Sequence, residues 1–402
     1  MSEDNINKDS NFDKLDLAQA KTLRLKAVTT AKTIVFKVGS AVLATAKGLD
    51  QELMHNLAAQ MTEILKAKKG RRLVLVTSAA VAAGRAVLSE LGFDLSNQGL
   101  SAKQATAAIG QARLMQAWDQ AFRAVGLATA QVLLTREDLQ ARQRFLNVRN
   151  TFAELLQWQI LPIVNENDTV SVKELKFGDN DSLASLLANL VGADLVVNLT
   201  SAKGVKAEDP SKNPEAPILK FITKIEELDL NKICGSKTLV GTGGMYSKLK
   251  AARRTAQIGV PTLILPGREP LIIKRAFETT SDLGTFVCQA KNTVPRRKYW
   301  LAYQTEPRGS LSLDQGAAHA LLQEGASLLP GGITKVSGTF QKGDLVAVSF
   351  NDEEIAVGLS NYSSQELAKI RGLKRHEVAA ILGNAHYPEV IHRDNLLLHA
   401  VV

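Results

Sequence analysis

Six short runs of apolar and β-branched residues punctuate the first two-thirds of the chain. They are TIVFKV (33–38), RLVLVT (72–77), LATAQVLLT (127–135), ILPIVN (160–165), DLVVNLT (194–200) and VPTLILP (260–266). Most are continuous rather than alternating, the pattern of strands covered on both faces. Between them lie stretches of helical period, such as LAAQMTEILKAKK (57–69), ASLLANLVGA (184–193) and YSKLKAARRTAQIG (246–259). This alternation predicts an α/β fold, an open and mostly parallel sheet sandwiched by helices. After about Arg296 the runs become shorter and more polar, and glycine turns crowd together, as in LLPGGITKVSGTFQKGDLVAVSF (328–350) and IAVGLS (355–360). That texture predicts a small C-terminal β-rich module with helices at 314–325 and 363–372. The expected division is a solvated polar extension over 1–30, with helix open for part of it, the large domain over 31–292 and the module over 298–402, with a linker at 293–300.

Several function classes are excluded at this stage. No apolar run approaches the roughly 20 residues of a membrane span, and the N-terminus has no secretory signal pattern. The two cysteines, Cys234 and Cys288, form no CxxC, so neither a disulfide framework nor a zinc site is indicated. A cytoplasmic protein is expected. The formal charge of +9 raises nucleic acid as a partner. From Lys298 onward, however, nine Lys/Arg face eleven Asp/Glu, whereas the earlier residues carry 40 against 29. The positive excess thus sits in the large domain, where it serves an anionic small molecule equally well.

Ligands of open α/β sheets bind beyond the carboxyl ends of the strands. Polar or small residues gather at four of those ends: Lys37, Gly39 and Ser40; Thr77 and Ser78; Asn165 to Asp168; Thr200 and Ser201. Lys37 is either an edge-strand lysine reaching water or a cation placed on a phosphate, whose oxygens the Gly39–Ser40 turn can cradle. The stretch NENDTVSVKELKFGDNDSL (165–183) sets two carboxylate/amide clusters close together, consistent with a metal site, paired turns or a small-molecule pocket. GTGGM (241–245) opens a helix carrying Lys248 but matches neither the P-loop nor the dinucleotide fingerprint. It reads as a surface loop or a phosphate clamp. His55 is the one histidine before residue 300, so chemistry in the large domain has to run largely without a histidine base. Phosphoryl transfer to a carboxylate meets that condition, because the nucleophile is already ionised and needs chiefly charge neutralisation and alignment.

Six blocks in order, KVGSAVL, VTSAAVAAGR, LLTREDLQARQRFLNVRNTF, PIVNENDTV, FGDNDSLASLLANLVGAD and GTGGMYSKLKAA, resemble the glutamate 5-kinase family of amino-acid kinases. The C-terminal SLDQGAAHALLQEGASLLPGGI, GTFQKGDLVAV and HRDNLLL resemble the PUA domain. The resemblance implies transfer of the ATP γ-phosphoryl group to the side-chain carboxylate of L-glutamate, the first step of proline synthesis. It implies that Lys37 and Lys248 neutralise the moving group, that Asp181 holds both lysines, and that Ser78, Asn165, Asp168 and Asn180 bind glutamate. Lys37, Gly39, Ser40, Thr200, Ser201, Lys203, Gly241, Thr242, Gly243, Gly244, Met245 and Lys248 would line the ATP site, with Mg²⁺ carried by the phosphates. A homo-oligomer inhibited by L-proline is also implied. In this reading a hairpin after Asp168 folds the first cluster toward Asn180, while Asp181 faces the lysines.

Three positions depart from the family pattern. Ala79 stands where glycine is usual, and its Cβ is expected to crowd the site or demand a negative φ. Ser201 replaces an aspartate and Lys206 an aromatic residue, both bearing on nucleotide affinity or base preference. Two rival readings are an amino-acid kinase with another acceptor and a degenerate kinase acting as an RNA-binding regulator. The paired amide clusters favour glutamate, and the module's acidic balance weighs against RNA.

Overall fold

In the computed structural model the described residues are 14–93, 99–171, 180–235, 244–278, 281–291, 293–295, 307–351, 353–383 and 387–398. They fall into two units, Met1–Thr293 and Val294–Val402. In the first unit the chain runs α1 (Lys14–Thr30), β1 (Thr33–Val38), α2 (Ser40–Leu43), β2 (Ala44–Thr45), β3 (Gly48–Leu49), α3 (Gln51–Lys66) and β4 (Arg72–Thr77). It continues through α4 (Ala80–Glu90), α5 (Leu100–Arg123), β5 (Thr129–Leu134), α6 (Arg136–Gln140), α7 (Arg142–Gln157), β6 (Leu161–Glu166) and α8 (Asn180–Leu190). Then come β7 (Leu195–Thr200), β8 (Phe221–Ile222), α9 (Leu230–Cys234), α10 (Met245–Gln257), β9 (Thr262–Pro266), α11 (Ile272–Ala276) and β10 (Thr285–Val287). All six apolar runs are strands.

Eight strands form one sheet in the order β5-β6-β4-β1-β7-β9-β10-β8. Pairing is parallel from β5 to β9, and β10 runs antiparallel to β9. The four strands whose ends carry the polar residues, β6, β4, β1 and β7, are therefore neighbours. On one face Ile34, Phe36, Val38, Leu75, Val197 and Leu199 pack with residues of α1, α3, α5 and α11. Successive strand residues point to opposite faces, so Lys37 and Asn198, paired in register across β1 and β7, look the other way, toward α8. Lys37 is no edge-strand lysine: β1 is central, and the residue is 4% exposed.

The expectation of a solvated N-terminal extension is corrected over residues 14–30. Helix α1 buries Ala20, Arg24 and Val28, a stripe at i, i+4 and i+8. The stripe escapes a hydrophobicity reading because its middle member is an arginine. The Arg24 guanidinium donates to the Leu283 carbonyl at 3.1 Å and to Ser281 Oγ at 3.4 Å, which supplies the partners a buried charge requires. Buried Arg71 donates to the carbonyls of Val28, Ala31 and Ile64, satisfying acceptors at the ends of α1 and α3.

The second unit holds β11 (Gly309–Leu313), α12 (Gln315–Glu324), β12 (Ile333–Gly338), β13 (Leu345–Phe350), β14 (Glu353–Leu359), α13 (Ser364–Ile370), α14 (Arg375–Leu382) and β15 (Leu396–Leu398). Its sheet runs β12-β11-β13-β14-β15, parallel only between β11 and β13. Asp314 and Ser363 cap the two helices expected from sequence, accepting from Ala317 N–H and Glu366 N–H. Among the described residues no helix is long and apolar enough to cross a membrane.

Candidate active site

Asp181 sits in the first turn of α8, completely buried, and among the described residues Lys37, Asn198, Ser247 and Lys248 donate to its carboxylate. Lys37 Nζ lies 2.6 Å from Oδ1 and Asn198 Nδ2 2.8 Å from it. Lys248 Nζ and Ser247 Oγ each lie 3.0 Å from Oδ2. Lys37 arrives from β1, Asn198 from β7, and Ser247 and Lys248 from the first turn of α10. Burial pushes the Asp181 carboxyl up, but the charges of Lys37 and Lys248 and the hydrogen bonds from Lys37 and Asn198 outweigh it. They hold the group at about 2, below the ordinary 3.8. The result is a fixed anion presenting two ammonium groups side by side, a cluster of net charge +1.

One residue earlier, Asn180 serves a different set of groups. Successive helix residues point about 100° apart, so Asn180 faces β4 and β6 while Asp181 faces β1 and β7. Asn180 Nδ2 donates to Thr77 O at 2.8 Å, Ser78 Oγ at 2.9 Å and Asn165 Oδ1 at 2.8 Å. Asn165 Nδ2 in turn donates to Gln111 Oε1 at 2.8 Å. Two buried ends of this chain have no partner among the described residues: Asn180 Oδ1, an acceptor, and Gln111 Nε2, a donor. Gln111 reaches the network because α5 packs unusually close to α4. A Cβ at Gly110 would come within 1.8 Å of Ala80 O, and one at Gly84 within 1.9 Å of Thr106 O.

Ala79, between Ser78 and α4, keeps a left-handed backbone with φ 87° and ψ 12°. The expected retreat to negative φ does not occur. The turn is held by its surroundings, Trp118 Nε1 donating to Thr77 Oγ1 at 2.8 Å just before it. Left-handed backbone costs an L-residue more than glycine, so Ala79→Gly is expected to gain roughly 0.5–1 kcal/mol net of glycine's extra chain entropy. A raised urea midpoint checks this.

The remaining expected residues are placed as follows. Gly39 precedes α2, and a Cβ on it would lie 3.7 Å from Lys37 Nζ; Ser40 is exposed beside it. Thr200 ends β7, its carbonyl accepting from Gly267 N–H at 2.7 Å, and Ser201 and Lys203 are exposed just beyond. Gly244 precedes α10, with Met245 its first residue. Gly241, Thr242 and Gly243 lie outside the described residues, as does most of the hairpin expected between Asp168 and Asn180. Asp168 is half-buried in the turn after β6. Lys206 Nζ donates to the Pro214 carbonyl, bracing the loop that follows β7. No cluster of three metal-ligating side chains occurs among the described residues, and both Asp181 oxygens accept from donors; Asp179 of the second acidic cluster lies outside the described residues.

Asn198, Ser247 and Gln111 escaped the sequence reading. Asn198 is a polar residue inside an apolar strand, the same signal that singled out Lys37. Gln111 follows an isolated glycine in a helical stretch, a position that marks close packing.

Residues 32–266 match the amino acid kinase family and residues 309–382 the PUA domain. A glutamate 5-kinase of Nitratidesulfovibrio vulgaris is 58% identical over 380 residues, covering 94% of this chain and 98% of that protein. A second, from Oleidesulfovibrio alaskensis, is 53% identical over 383 residues, covering 95% and 99%. A third, from Geobacter sulfurreducens, is 44% identical over 378 residues, covering 94% and 100%.

Proposed function

The chain belongs to the glutamate 5-kinases of the amino acid kinase family, and on that premise we propose how its residues divide the transfer of the ATP γ-phosphoryl group to the side-chain carboxylate of L-glutamate. This is a step of proline synthesis. An ionised glutamate oxygen uses a lone pair to form the new bond to phosphorus. The bond from phosphorus to the β,γ-bridging oxygen breaks, and ADP leaves with that electron pair. No proton moves, because the attacking carboxylate is already ionised. Lys37 and Lys248, 4% and 5% exposed, meet the charge that spreads over the transferring group. Asp181 holds both ammonium groups, one on each oxygen, without taking part in the transfer itself.

Mg²⁺ fits this site as a companion of ATP rather than as a protein-caged ion. When bound, it neutralises the phosphate oxygens and helps the leaving group depart. Gly39, Ser40, Thr200, Ser201, Lys203 and residues 241–245 are assigned to the nucleotide. Ser78, Asn165, Asp168, Asn180 and, in addition, Gln111 are assigned to glutamate. Feedback inhibition by L-proline and a homo-oligomeric assembly belong to the same reading, carried by the family resemblance.

The observation that carries the reading is Asp181 with both lysines on its two oxygens. An assay with ATP, Mg²⁺ and hydroxylamine tests it: hydroxamate is expected with L-glutamate, and preferential turnover of aspartate or N-acetylglutamate would contradict it. The unpartnered Gln111 Nε2 is well suited to a carboxylate of the amino acid. Gln111→Leu is therefore expected to raise the KM for glutamate about 10-fold or more at little cost in kcat, as steady-state kinetics with varied glutamate will read.

A further inference from the structure

Strand β7 reads LVVNLT, and its neighbours Val196, Val197 and Leu199 are buried and apolar, as the core requires. Asn198 is 3% exposed in the same strand. Its Nδ2 donates to Asp181 Oδ1 at 2.8 Å, the oxygen that also holds Lys37 at 2.6 Å. Its Oδ1 has no partner among the described residues. A buried carbonyl left unpaired weakens a fold, and an apolar residue here would be the more stable choice. The amide is thus poorly explained by stability, while its one hydrogen bond lands on the carboxylate that organises both lysines. Lys37 and Asn198 are register partners on adjacent strands, so the two donors approach Oδ1 from a rigid base. Ser247 and Lys248 come from the separate helix α10 and take Oδ2.

We propose that Asn198 is a positioning residue for the transfer reaction, fixing the Asp181 carboxylate plane so that Lys37 and Lys248 are presented together to the moving phosphoryl group. The inference rests on the assignment of Asp181 and its lysines given above. Without the amide, Oδ1 loses a donor anchored on the sheet, and the carboxylate that carries Lys37 is held less firmly against rotation about its last torsion. The donor's help in keeping Asp181 ionised acts in the same direction.

Asn198→Val and Asn198→Asp in the full-length chain test this. The valine removes the donor and suits the strand. It is expected to leave the melting temperature equal or higher, lower kcat by about 10-fold, and leave KM for glutamate and ATP within about 2-fold. The aspartate preserves size and shape but sets a second anion against Asp181 and competes for Lys37, so kcat should fall further than with valine. A purely structural role would give the reverse: a lower melting temperature with valine, and the isosteric aspartate milder in kcat. Unchanged kcat in either folded variant would overturn the inference, and if the valine form does not fold, the aspartate form alone decides it. A parent enzyme without glutamate-dependent turnover would overturn the underlying assignment, whereas an active parent with indifferent variants would overturn the role of Asn198 alone.

Discussion

Lys248→Ala is expected to lower kcat by about 10³-fold while KM for glutamate changes little. The ammonium sits one turn into α10, 5% exposed and 3.0 Å from Asp181 Oδ2. A charge preorganised in a dry site stabilises developing phosphoryl charge far better than water does, and removing one such donor costs about 10²–10³ in rate. A loosely held lysine could be replaced by solvent; this one is fixed by an anion that no solvent reaches. On the proposed role, in which the group acts on charge that grows in the transition state, the loss should appear in kcat and kcat/KM alike. A kcat within about 3-fold of the parent would remove Lys248 from the mechanism.

Asp181→Asn should damage both catalysis and stability. The substitution leaves Lys37 and Lys248 buried without their counter-ion and turns an amide N–H₂ or a single carbonyl toward two ammonium groups. Breaking one side of a buried ion pair costs about 3–5 kcal/mol, and a urea titration of parent and variant should show a loss of that order. The kcat should fall by at least about 10²-fold, since neither cation is then held where the phosphoryl group passes. The effect carries its own pH signature. Asp181 binds a proton less readily when folded, at about 2 against 3.8, so its contribution to stability is complete above pH 3.8 and fades as pH falls toward about 2. The gap in stability between parent and variant should narrow as pH falls through that window.

The fold was open to reading where physics leaves a periodic mark. Parallel strands buried on both faces appear as unbroken apolar runs, and all six were found. Lys37 stood out because an ammonium in such a run needs a reason. The partner that supplies it, Asp181, lies 144 positions away and became visible only through the family resemblance and then the structure. Asn198 carries the same mark as Lys37, a polar side chain inside an apolar run, but one amide in a strand does not say which partner it meets. Gln111 had almost no mark of its own. Its place depends on Gly84 and Gly110 letting two helix backbones nearly touch, a distance no periodicity encodes. Helix α1 was hidden for a similar reason: the buried stripe contains Arg24, whose partners Ser281 and Leu283 come from the other end of the unit.

The measurement closest to the central claim follows the oxygen that attacks phosphorus. L-Glutamate labelled with ¹⁸O in its side-chain carboxylate is turned over with ATP, Mg²⁺ and hydroxylamine, and the released phosphate is weighed by mass spectrometry. Hydroxylamine attacks the acyl carbon, so the oxygen that bridged carbon and phosphorus leaves with the phosphate. Phosphate carrying a single ¹⁸O atom is the predicted result. Unlabelled phosphate formed at the rate of ATP consumption would mean that water, not the glutamate carboxylate, takes the phosphoryl group, and would contradict the account.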